Sequence, residues 1–231
     1  GGSGNDILRL TINDGSVLGG DASYCYGNDI TMLGGAGADN LALNVNFTGT
    51  STFGWNNFSL SGGSGNDRIV FNLDAHISES EFSNNNVAMS GGAGNDYLAF
   101  NADVNIASAW FSSFSSNNFS MFGGAGNDLL YMNVSADLRT TGNSCTFTGN
   151  TLSMQGNGGI DLVAMRLNVD LAGKTWNGFY DNFMYLSGGT AADNLAMRLG
   201  VFMSVTGTTP SLGNYFASNT IMNSGGNGAD V

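Results

Sequence analysis

Eight aspartates, Asp6, Asp39, Asp67, Asp96, Asp128, Asp161, Asp193 and Asp230, each close a glycine-rich hexamer: GGSGND, GGAGAD, GGSGND, GGAGND, GGAGND, GNGGID, GGTAAD and GGNGAD. Glycine permits positive φ and lets backbone carbonyls crowd together, while the aspartate contributes a carboxylate. If successive hexamers stack at about 4.8 Å, the carboxylates form a line of like charges, each neighbouring pair repelling by about 1 kcal/mol even in water. None of the six Lys and Arg residues lies in a hexamer, so a bound cation is the expected compensation. Oxygen ligands from these carboxylates, and from hexamer-opening glycines such as Gly34, Gly62, Gly91 and Gly123, favour calcium over a transition metal.

Stacking requires a repeating coil, and the sequence supplies one. Coils start at residues 1, 34, 62, 91, 123, 156 and 188, with a partial coil at 225–231, and successive coils differ in length between 28 and 37 residues. After each Asp runs an alternation such as DNLALNV, DRIVFNL or DLLYMNV, the mark of a strand with one buried face. Its inward set runs from Leu8, Leu10 and Ile12 through Leu41, Leu43 and Val45 to Leu195, Met197 and Leu199. A second alternation, such as Phe58/Leu60 or Phe119/Met121, leads into each hexamer.

Two columns fix the register further. Asn28, Asn56, Asn85, Asn117, Asn150, Asn182 and Asn219 stand six positions before the hexamers. Cys25, Phe53, Phe82, Phe114, Phe147, Phe179 and Phe216 stand nine before. Length variation falls between the first strand and the Phe column, so stretches such as SADLRTTGN and VTGTTPSLGN are expected to be surface loops on one edge. The expected fold is all-β: a single-domain parallel β-solenoid over 1–231, of about seven coils, wound right-handed.

The hexamer with its following strand, as in GGAGNDYLA and GGAGNDLLY, resembles the RTX (haemolysin-type) calcium-binding repeat of bacterial secreted proteins. That resemblance implies Ca²⁺ between adjacent turns, held by backbone carbonyls and the Asp carboxylate. It is full at Asp6, Asp39, Asp67, Asp96, Asp128 and Asp230. It is partial at Asp161, where Asn157 replaces the second Gly, and at Asp193, where Ala191 replaces the third. It departs from the family in having one hexamer per coil, and an Asn corner instead of a second Gly/Asp edge.

A buried corner Asn needs partners for both ends of its amide, and an identical Asn above and below supplies them, so that column reads as structural. The Phe column reads as stacked core aromatics. Trp55, Trp110 and Trp176 are open to a ligand-stacking role. Cys25 and Cys145 lie four coils apart, too far for a disulfide.

The formal net charge of −12 argues against nucleic acid as a partner. No stretch of about 18 apolar residues is present to span a membrane. Parallel solenoids also include lyases and epimerases acting on polysaccharides. His76, Glu79 and Glu81, sharing one variable loop, are the best candidate acid–base cluster, with Arg68 the nearest base in that coil. No Thr-x-Thr array suited to ice binding exists.

The reading expected from sequence is a non-enzymatic structural or adhesive module, stabilised by calcium, of a secreted bacterial surface protein or filament. A secretion module of an RTX-like cargo protein is the other calcium-based alternative. Its partners would be copies of itself or neighbouring repeats end to end, with a cell-surface glycan as a further partner. The lack of a capping repeat at either end points to the same stacking.

Overall fold

The computed structural model describes residues 1–15, 25–49, 52–78, 81–205 and 213–225. Glu79, most of VTGTTPSLGN, and Asp230 with the rest of the partial coil past Gly225 lie outside the described residues. The described residues form three seven-stranded parallel sheets and no helix. Each coil contributes one strand to each sheet, so every strand pairs with its equivalent in the next coil. This is a parallel β-solenoid.

The long sheet contains Ile7–Gly15, Asn40–Gly49, Arg68–Ile77, Tyr97–Ser108, Leu129–Thr140, Leu162–Gly173 and Asn194–Val205. The short sheet contains Cys25–Tyr26, Phe53–Gly54, Glu81–Ser83, Phe111–Ser115, Ser144–Thr148, Trp176–Tyr180 and Gly213–Ala217. The approach sheet, entering the Gly/Asp turn, contains Asp29–Ala36, Asn57–Ser64, Asn86–Ala93, Asn118–Ala125, Thr151–Gly158, Phe183–Gly189 and Thr220–Ser224.

The alternations lie where their period places them. Leu41, Leu43 and Val45 pair in register with Ile69, Phe71 and Leu73, and all six are buried. In the end coils the same columns are only half covered. Leu8, Ile12, Leu195, Met197 and Leu199 are partly buried and Leu10 is exposed, because an end rung is packed from one side.

The Phe column is a continuous stack. Phe53, Phe82, Phe114, Phe147, Phe179 and Phe216 follow one another at ring-centroid separations of 4.9, 4.8, 4.7, 5.2 and 5.1 Å, with planes within 11° of parallel. Ring stacking therefore repeats at the rung spacing of the backbone, and one hydrophobic period satisfies both.

The expectation that SADLRTTGN is a surface loop needs correction. The strand runs on to Thr140, leaving only a short turn, because Ala136, Leu138 and Thr140 continue the inward alternation and are buried. Part of the length variation is therefore taken up by strand length.

A further column went unseen in the sequence. The residue before each corner Asn is left-handed: Gly27, Trp55, Asn84, Ser116, Gly149, Asp181 and Ser218 have φ between 53° and 68°. This residue bends the chain from the short sheet into the approach sheet. The left-handed region costs an ordinary residue roughly 1–2 kcal/mol, and β-branched side chains more. Ser116→Val is therefore expected to lower stability by about 1–2 kcal/mol, whereas Ser116→Gly is neutral or slightly stabilising, as read from urea midpoints. Valine tolerated as well as glycine would show that the corner relaxes out of this conformation.

Candidate functional site

The Gly/Asp edge is built from two side-chain ladders running in opposite directions. In the fourth coil, Asp96 N–H donates to Asp128 Oδ1 of the next coil at 2.8 Å, while Asp96 Oδ1 accepts from Asp67 N–H at 2.7 Å. The same bond recurs from Asp6 to Asp193 at 2.7–2.8 Å. One residue earlier the direction reverses: Asn95 N–H donates to Asn66 Oδ1 at 2.8 Å, and Asn95 Oδ1 accepts from Asn127 N–H at 2.7 Å. The backbone of the turn is spent in the same way. Gly94 N–H donates to Ala125 O at 2.8 Å, and Asp96 O accepts from Leu129 N–H at 2.9 Å.

The glycines follow from this packing. A Cβ on Gly91 or Gly123 would overlap Oδ2 of its own hexamer's aspartate, Asp96 or Asp128. Gly92 and Gly124, at φ 112° and 117°, face a backbone carbonyl of the preceding coil at a distance that leaves no room for a Cβ. The two degenerate hexamers keep the ladder. Asn157 adopts φ 80° in place of the second Gly, and both Asp161 and Asp193 stay buried.

The second carboxylate oxygen has a different fate. Oδ2 of Asp39, Asp67, Asp96, Asp128 and Asp161 is buried without a hydrogen-bond partner. The space beside it is the one the opening glycine leaves: a Cβ on Gly34, Gly91 or Gly123 would meet both this oxygen, of Asp39, Asp96 or Asp128, and the opening-glycine carbonyl of the following coil. Burial raises the pKa of Asp67, Asp96 and Asp161 above the ordinary carboxylate range and lifts Asp128 to about 6. The N–H of the preceding Asp offsets this in part, and neighbouring carboxylates add to it.

These donors match calcium in kind but not in number. Calcium takes about six to eight oxygens at 2.3–2.6 Å. Each turn offers one uncommitted carboxylate oxygen, while Oδ1, the Asp carbonyl and the third-position carbonyl are engaged along the axis. The Oδ2 atoms have no accessible surface through which water could complete a shell. Among the described residues no three of His, Cys, Asp and Glu gather to hold an ion. The edge as folded is thus a hydrogen-bonded seam, and the residues expected to be ligands are its stitches.

The other candidates are dispersed. His76 is exposed on the outer face of the long sheet, with Nε2 2.9 Å from Asp74 Oδ1, whereas Glu81 sits on the short sheet. Trp55 occupies a left-handed corner, Trp110 is 76% exposed before a short strand, and Trp176 packs on Tyr180 and Tyr215 at 5.9 and 6.5 Å. They stand on different coils and form no common platform. Cys25 and Cys145 are both buried thiols. Burial pushes the Cys145 thiol up to about 11, which keeps it protonated and unreactive.

Compared with protein-family models, curated proteins and solved structures, the chain finds no match. The likeness to RTX repeats rests on the hexamers alone.

Proposed function

We propose that the chain is a structural module, a stiff solenoid segment that works outside the cell in a surface protein or filament. The observation that carries this reading is the in-register stacking of three independent columns through the described coils: Asp from Asp6 to Asp193, Asn from Asn28 to Asn219, and Phe from Phe53 to Phe216. Such a body resists bending and unravelling because every rung is bonded to the next by backbone, amide, carboxylate and ring contacts at once. The extracellular setting follows the RTX-like hexamers.

Its natural partners are further rungs of the same kind. Among the described residues the first and last strands of each sheet are paired on one side only. Core-column side chains are exposed there, Leu10 on the first rung and Phe216 and Ile221 on the last, as an open stack requires. Seven rungs at about 4.8 Å make a body no longer than its 12-residue strands are wide, so small-angle scattering tests the stacking: a rod profile that grows with concentration supports the reading, and a compact particle at every concentration overturns it.

In this proposal the seam holds without an ion. Melting temperatures in excess chelator and in millimolar calcium are expected to coincide. A resident ion at a hundred times its dissociation constant would add about 2.7 kcal/mol, which is several degrees. A calcium-dependent rise of that size would restore the RTX mechanism in place of the hydrogen-bonded seam.

A further inference from the structure

The outer face of the long sheet is the charged face, with Asp74, Asp103, Asp137 and Asp170 interspersed among its arginines. All five arginines, Arg9, Arg68, Arg139, Arg166 and Arg198, point outward from it, in a chain whose formal net charge is −12. Arg166 and Arg198 stand directly opposite each other on neighbouring strands, a like-charge pairing that costs stability in a sheet unless something anionic answers it. No carboxylate does so among the described residues. The nearby acids Asp137 and Asp170 are taken by Arg139, at 2.7 and 3.7 Å. With the Asn168 amide turned so that its oxygen faces the guanidinium, it accepts from Arg166 Nε and Nη2 at 3.0 Å and steadies that side chain.

These guanidiniums border an open groove of about 550 Å³ that runs along the axis over four rungs. Its floor is lowered by the small side chains of Ala99, Ala164 and Ala196. One wall is the column Asn101, Asn133, Arg166 and Arg198, in register. Tyr131 stands in the alanine column, between Ala99 and Ala164, and its ring lies against Tyr97 of the next column with centroids 6.1 Å apart; the Arg68 guanidinium lies 5.4 Å from the Tyr97 ring centroid. The amide ladder Asn44–Asn72–Asn101 is bonded at 2.8 and 3.0 Å. It stops short of Asn133, whose amide faces the groove with its hydrogen bonds unspent.

We propose that this groove binds an acidic oligosaccharide, a chain of uronate-type sugars lying along the solenoid axis. The chemistry selects this class. The strand N–H and C=O groups are used within the sheet, so a peptide finds no backbone to pair with on this face. Half-buried tyrosine rings offer a surface for sugar C–H faces, the Asn133 amide bonds hydroxyls, and paired guanidinium forks take carboxylates. A polymer with a charge on successive units matches donors repeated at every rung. The two guanidiniums of Arg166 and Arg198 are too few for a nucleic-acid backbone, which is held through many phosphate contacts. The inference deepens the reading of the chain as a surface module, giving it something to adhere to. Binding and rod shape are measured separately, so either can fail alone.

Isothermal titration with hexagalacturonate and hexamannuronate, against neutral maltohexaose, tests it. At least one acidic hexamer is expected to bind saturably and the neutral one not. In R166Q/R198Q the affinity falls by at least about tenfold, with the melting temperature unchanged or slightly raised by relief of the like-charge pair. Tyr131→Ala weakens binding as well. Three results would each overturn the proposal: no binding of either acidic hexamer, equal binding of the neutral one, or undiminished affinity in R166Q/R198Q.

Discussion

Lowering the pH from 7.5 to 4.5 is expected to raise the melting temperature, the reverse of what an acidic chain stabilised by ion pairs would do. Asp67, Asp96, Asp128 and Asp161 each have a carboxyl whose pKa is raised in the folded state, chiefly by burial, with Asp128 at about 6. In the unfolded chain an aspartate titrates near about 3.9. Between those limits the folded protein therefore holds more protons than the unfolded one, so stability falls as pH rises through the window from about 4 to about 6 and levels off above it.

The protonated form is also the one the geometry can use. A neutral Oδ2 can stand buried without a partner at far lower cost than a charged one. Asp128→Asn separates this cause from the rest. The amide keeps the oxygen that accepts Asp96 N–H and replaces the buried, partnerless Oδ2 with an uncharged N–H₂. The variant is expected to melt higher than the parent at pH 7.5 and to depend less on pH. Stability that climbs between pH 4.5 and 7.5, or an Asp128→Asn chain weakened at both, would refute the proton-holding seam.

The columns that made the coil legible are those in which one residue type is demanded at every rung. Asp, Asn and Phe repeat because each touches its own copy above and below, and a mismatch orphans two partners at once. What stayed hidden is what the fold demands of the backbone alone. The left-handed corner accepts Gly, Trp, Asn, Ser and Asp, since only φ is specified there and several side chains tolerate it. The short sheet was hidden for a related reason: in its first coils it is two or three residues long, too brief for alternation to register. At the candidate site, sequence placed the carboxylates in one line but could not say where their oxygens pointed. An Asp that accepts its neighbour's N–H and an Asp that grips an ion occupy the same position in the same hexamer. The groove was hidden differently again. Its walls come from outward positions that vary from coil to coil, and their charge clusters only once the sheet is assembled.

Asn117→Ala is expected to cost about 3–5 kcal/mol, and Asn118→Ala no more than about 0.5. The two residues are adjacent, identical in type, and both members of amide ladders. Asn118 Nδ2 donates to Asn86 Oδ1 at 2.8 Å on the solvent side, where water replaces the bond once it is lost. Asn117 is 1% exposed. Its Oδ1 accepts both the backbone N–H and the Nδ2 of Asn85 at 3.0 Å, while its own Nδ2 donates to Phe82 O at 3.2 Å and Asn150 Oδ1 at 3.0 Å. Truncation leaves two donors of Asn85 buried without an acceptor, each costing about 1–3 kcal/mol, and opens a gap beside the Phe82–Phe114 stack. The damage also propagates, because the Asn85 amide that loses its acceptor is itself the acceptor for Asn56 at 3.0 Å. Urea denaturation of the two variants measures the contrast directly. Equal losses would mean that the corner amides merely decorate the stack, and that the backbone ladders and stacked rings alone keep the coils in register.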